Sequence, residues 1–213
     1  MLNILKDAVA AHNEPLHIEI PLFALGSILF PEGQMSLRVF EQRYMDMAKS
    51  CMKNAAPFGV VLIAAGEEVN SRSGVETTIE NVGTLATISD WDMQQLGVLQ
   101  LTVQGGSRFK IISYRALESG LLVGTVSLVG ADSNQVHAAL SDCASFVEQV
   151  LARLGKPVAP EKLHDAMWVS FRLLELLPFH WGVKQKMLAL TDAGMRLDLL
   201  HKFLVDQGLI QAH

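Results

Sequence analysis

Residues 21–63 constrain the fold more than any other stretch, because four local signals follow one another in an order that few architectures accommodate. An apolar run ends at the turn Pro31-Glu32-Gly33. Residues 34–39 then alternate, with Met35, Leu37 and Val39 on one face, the period-two pattern of a half-buried strand. From Phe40 the period lengthens: Phe40, Tyr44, Met47 and Cys51 recur at helical spacing, with Glu41, Arg43, Asp46 and Lys49 on the other faces. Pro57 and Gly59 end that helix and open a fully buried strand at Val60. A helix is thus inserted between strands.

The rest of the chain divides in two. As far as about Val129 it is strand-like: His17 to Pro21 alternates, and Val75 to Ile79, Val82 to Ile88, Leu99 to Val103, Phe109 to Ala116 and Leu121 to Val129 read as short strands. Asn81, Gly97, Gly105-Gly106 and Ser119-Gly120 separate them, and residues 66–74 form a polar hairpin tip. Such regular turn spacing predicts a closed or strongly curved antiparallel sheet, which removes exposed edges. Beyond Gly130 the pattern is helical. Asp132 or Ser133 is placed to cap a helix running to Leu154; Pro160 opens a second, with its apolar stripe reaching Leu177; two more occupy Trp181 to Leu190 and Asp192 to Val205. The expected organisation is an N-terminal extension at 1–14, a β-rich part at 15–130 and a helical bundle at 131–213.

Composition narrows the function. The net charge of -5, from 17 basic against 22 acidic residues, opposes nonspecific binding to nucleic acid or to an anionic membrane. No apolar stretch approaches the roughly 20 residues of a membrane-spanning helix. The amino end lacks the h-region and cleavage site of a signal peptide, so the expected compartment is the cytoplasm. Cys51 and Cys143 fall on apolar faces of predicted helices, where free cysteine behaves as a small hydrophobe.

The motifs add a resemblance. Pro21-Leu22-Phe23, Leu25-Gly26, Leu29-Phe30-Pro31, Phe40-Glu41, Arg43-Tyr44 and Gly59-Val60-Val61-Leu62 resemble the amino-terminal substrate-binding domain of Lon proteases. Val82-Gly83-Thr84, Val103, Gly105 and Arg108-Phe109 are similar to later segments of that family, as are Lys184-Gln185, Leu188, Asp192 and Arg196-Leu197. Glu32 departs from the pattern by intervening before Gly33. The resemblance covers nearly all of the chain after Glu14. It implies an α+β fold: a PUA-like β pseudo-barrel with an inserted helix, followed by a C-terminal helical bundle. The phosphate loop and Ser-Lys protease of a complete Lon protease have no counterpart in this sequence, which resembles the stand-alone Lon-domain proteins of bacteria and, more remotely, the Lon-like part of cereblon.

No residue pattern points to catalysis. The seven histidines form no H-E-x-x-H, the two cysteines no C-x-x-C, and no cofactor or metal is expected. Gly105-Gly106-Ser107-Arg108 superficially resembles a phosphate cradle, but its strand context favours a hairpin or bulge. G-x-S-x-G is absent, and Glu67-Glu68 lies in a polar loop that would not perturb either acid. Two roles are open to Arg43 and Tyr44: fixing the inserted helix to the barrel, which the bidentate capacity of arginine favours, or contacting a peptide. Trp168, Phe179 and Trp181 are further candidates for peptide or partner binding; core packing is the default for all three, with Trp181, beside Gly182 in a connection, the one placed to anchor a partner. The expected function is a non-catalytic protein- or peptide-binding module that takes unfolded or partly folded proteins, or a separate protease, as partner, through a groove between barrel and bundle. A hydrolase-like enzyme and a PUA-like RNA-binding module are the alternatives.

Overall fold

The computed structural model describes residues 17–65, 78–130, 132 and 139–211. The 1–14 extension, the 66–74 hairpin tip and Val75 to Thr77 of the expected strand lie outside the described residues. Two compact units result: one comprises the described residues up to Leu29 with Gln34–Val129, the other Phe30–Gly33 with those from Gly130 onward.

Among the described residues the first unit holds seven strands and one helix: β1 (His17–Leu25), β2 (Gln34–Val39), α1 (Gln42–Asn54), β3 (Phe58–Ala65), β4 (Thr78–Ile79), β5 (Val82–Gln95), β6 (Val98–Ala116) and β7 (Leu122–Leu128). The pairings β1–β7, β7–β6, β6–β5, β5–β3 and β3–β1 return to their starting strand, so the sheet closes on itself, with β3 parallel to β1 and the other pairs antiparallel. β2 pairs with the first half of β6, and the two-residue β4 with the end of β3.

The glycine pair Gly105-Gly106 does not separate two strands as the sequence suggests. β6 runs unbroken through it and absorbs one extra residue between the pairs Ala86↔Gly105 and Thr84↔Arg108. The glycines serve a bulge, which bends the strand without ending it. The barrel interior is set by Phe109, which is fully buried. A Cβ on Gly59 or on Gly83 would lie 2.6 Å from its ring. Three separated motif residues are therefore one packing unit.

In α1, Tyr44, Met47, Ala48 and Cys51 are buried at helical spacing against Phe23, Leu37, Phe58, Leu99 and Leu101. Ala55, in the left-handed region (φ +48°), closes the helix. Phe40, expected to start this apolar stripe, lies outside the helix and is 54% exposed, because Glu41 occupies the N-cap.

The second unit contains α2 (Leu140–Arg153), a 3₁₀ turn (Pro160–His164), α3 (Ala166–Leu176), α4 (Trp181–Ala189) and α5 (Ala193–Asp206). The expected helix from Pro160 to Leu177 is broken at Asp165, whose carboxylate accepts from the Met167 and Trp168 amides (2.9 and 3.1 Å) and starts α3 afresh. Asp192 caps α5 through the Met195 amide at 2.9 Å. Asp132 is buried against the Arg196 guanidinium, which also donates to Ser170 Oγ (2.8 Å) and the Leu190 carbonyl (2.6 Å) and lies over the Phe171 ring; Ser133, the other expected cap, and the residues either would cap lie outside the described residues.

Phe30–Gly33 belongs with these helices. Phe30 stacks on Phe171 at 5.6 Å, and Arg172 donates to the carbonyls of Pro31 (2.8 Å) and Glu32 (3.0 Å). Glu32 takes the left-handed position of the turn (φ +56°), and its carboxylate pairs with Lys162 at 2.5 Å. A Cβ on Gly33 would lie 2.9 Å from the Phe30 carbonyl oxygen, which is backbone and cannot swing aside, so that position disfavours any side chain.

Candidate functional site

A cleft of about 350 Å³ in the first unit is walled by the end of β1, by residues 35–39 of β2, and by Phe40, Glu41 and Tyr44 where the chain enters α1. Successive side chains of a strand point to opposite faces. Five consecutive β2 residues can line one cavity only if it runs along the edge of the strand. The pairings agree: β2 has β6 on one side and no strand on the other among the described residues, and β7 leaves β1 at Leu22, ahead of the cleft residues Phe23, Ala24 and Leu25. The cleft is thus a slot between two strand edges.

Its floor is rigid. Tyr44 is buried and stacks on Phe23, with ring centroids 4.0 Å apart. The Arg43 guanidinium lies 4.4 Å from the Tyr44 centroid. Arg43 Nη1 donates to the Gly120 carbonyl (2.7 Å), in the turn between β6 and β7, while Nε and Nη2 hold Glu41 Oε2 at 3.0 and 2.9 Å. This multidentate hold fixes the start of α1, and with it the aromatic floor, to the barrel. At the mouth stand Phe40, exposed, and Arg38, which makes no ion pair with any described residue. Arg38 also lines a neighbouring recess with Gln95, Val98 and Gln100. Leu37 and Val39, beside it in sequence, are buried on the apolar side.

Of the residues singled out from sequence, Tyr44 lines the cleft and Arg43 braces it from behind. Trp168, Phe179 and Trp181 belong to the helical unit. Trp168 is 9% exposed and packed in the core of α3. Phe179 lies against Phe203, centroids 4.5 Å apart. Trp181 is 41% exposed, with Lys184 Nζ 5.1 Å from its ring centroid and the Lys184 pKa lowered by burial. Sequence reasoning missed Arg38, Phe40 and the β2 edge as site features. A charged residue between Leu37 and Val39 was the available signal.

The cleft lining includes neither histidine nor cysteine; its polar side chains are Ser27, Ser36, Arg38, Glu41 and Tyr44. Among the described residues no cluster of His, Cys, Asp and Glu is placed to hold a metal ion, and no helix is long and apolar enough to cross a membrane. What the arrangement offers is apolar surface beside backbone hydrogen-bonding groups.

The family described as the ATP-dependent protease La (LON) substrate-binding domain matches residues 19–206. The Lon protease of Heliobacterium modesticaldum is 26% identical over 195 residues, covering 87% of this chain and 24% of that protein. The Lon protease of Xanthomonas oryzae pv. oryzae is 25% identical over 201 residues, covering 89% and 23%. This chain therefore spans under a quarter of the length of these curated relatives. Among solved structures, the Lon N-terminal domain protein from Xanthomonas campestris is similar with a TM-score of 0.71 and 34% identity, covering 86% of this chain and 96% of that one. The N-terminal domain of the Mycobacterium avium complex Lon protease shares the fold, with a TM-score of 0.59 at 15% identity over 92% of this chain and 100% of that one.

Proposed function

This chain belongs to the Lon substrate-binding domain family, and from that premise we propose that it is a non-catalytic module that captures exposed apolar segments of unfolded or partly folded proteins in the cleft beside β2. The carrying observation is the cleft itself: two strand edges that pair with no described strand, over an aromatic floor, with Phe40 exposed at the mouth. An unfolded segment offers both apolar side chains and unsatisfied backbone groups. A folded surface has already committed its backbone. Strand edges facing an apolar slot suit the first and not the second. We place this activity in the cytoplasm, in keeping with two buried, unpaired cysteines.

Phe40→Asp tests the reading. The side chain is half exposed, so the substitution should leave the melting temperature nearly unchanged. Binding of labelled apolar peptides, followed by fluorescence anisotropy, should weaken about tenfold or more, as for an aromatic anchor at the centre of an interface. Equal affinity in the variant would remove the cleft from the account.

A further inference from the structure

We propose that the cleft takes an extended segment of a partner polypeptide as an added strand on the edge of β2 that no described strand occupies, with an acidic residue between two apolar ones set opposite Arg38. This rests on the protein-binding reading above and deepens it to a sequence pattern.

Register carries the argument. β2 pairs with β6 from Gln34↔Gln104 to Val39↔Leu99, which fixes the face of each side chain. Leu37 and Val39 point to the apolar side and are buried; Ser36 and Arg38 point to solvent. A strand added at the other edge must adopt the same alternation. Its residues opposite Leu37 and Val39 fall on the apolar side, and the one between them falls beside the Arg38 guanidinium. Charge then selects that residue. Across β6 the neighbour of Arg38 is the neutral Gln100, and Arg38 makes no ion pair with any described residue. A carboxylate on the incoming strand completes a cross-strand pair that no described residue supplies. Apolar–acidic–apolar is the pattern that satisfies both faces.

A lone charge on an edge strand has a second use, since it discourages pairing between copies of the same protein. The two roles differ in what charge reversal does. Short labelled peptides with a Val-Glu-Val core, their Val-Lys-Val counterparts, and a Val-Glu-Val peptide N-methylated along its backbone would be titrated into the protein and into Arg38→Glu. We expect the glutamate peptide to bind the unaltered protein about fivefold more tightly than the lysine peptide, the preference to invert in Arg38→Glu, and N-methylation to abolish binding. Peptides that bind with a preference indifferent to Arg38, or equally well when N-methylated, overturn the strand-addition proposal and leave Arg38 as a guard against self-pairing. If apolar peptides of every kind fail to bind, the protein-binding reading falls as well.

Discussion

Replacing Arg196 with methionine should destabilise the helical unit by about 3–5 kcal/mol, because the change strips a buried carboxylate of its guanidinium and frees two further acceptors at once. Arg196 and Asp132 are both fully buried, and the guanidinium also serves Ser170 Oγ and the Leu190 carbonyl. In water, Asp132 would be solvated; in this interior it loses that solvation whether or not Arg196 is present. The loss should appear as a fall of roughly 12–40 °C in the melting temperature of that unit. Tryptophan emission reports it cleanly in a Trp91→Phe background, since the remaining tryptophans, Trp168 and Trp181, both lie in the helical unit. Adding Asp132→Leu to Arg196→Met removes the buried carboxylate together with its guanidinium, so the double variant should recover at least half of the loss. A single variant within about 1 kcal/mol of the parent, or a double variant no more stable than the single, would refute the reasoning.

Other perturbations probe separate parts of the structure. Gly83→Ala places a Cβ 2.5 Å from the Val60 carbonyl and 2.6 Å from the Phe109 ring, so it should cost about 1–3 kcal/mol in a denaturant melt; Phe109→Leu should relieve only part of this, because the carbonyl is backbone. Phe30→Ala, although Phe30 lies next to the β-rich residues in sequence, should destabilise the helical unit by about 3–5 kcal/mol, read from the same tryptophans. Burial, reinforced by Asp142 and Asp198, pushes the Cys143 thiol from its ordinary 9.0 up to about 12. Its folded value is thus raised, so its contribution to stability is complete below pH 9 and declines between 9 and 12, by about 1.4 kcal/mol per pH unit. Burial raises the Cys51 thiol too, and a disulfide-exchange reagent at pH 8 should find both thiols unreactive until denaturant is added.

The sequence made the motif residues legible as a fold, and the structure explains why they recur together. Gly59 and Gly83 are glycines because Phe109 fills the space beside them. Arg43 ties a helix to a turn, and Lys184, Gln185, Leu188 and Arg196 are buried parts of one helical unit. Errors arose where local propensity and tertiary pairing disagree. Gly105-Gly106 reads either as a hairpin between two strands or as a bulge, and it is the pairing with β5 that selects the bulge within one continuous β6. Phe40 fits the helical period but stands before the N-cap. The cleft was the least legible feature for a different reason. Alternation at Met35, Leu37 and Val39 reports that one face of a strand is buried; it carries no information on whether one edge or both find a partner. That depends on where β1, β6 and β7 stop pairing, far away in sequence.

Capture of unfolded segments beside β2 is tested most directly by amide chemical-shift mapping during titration with a reduced, alkylated and permanently unfolded protein. The largest shifts are expected at residues 23–27, 35–41 and Tyr44, with slowed amide exchange along β2. Absence of binding would contradict it, as would shifts centred on Trp181 and the exposed Met195 and Leu199 of α5 with the β2 amides unmoved.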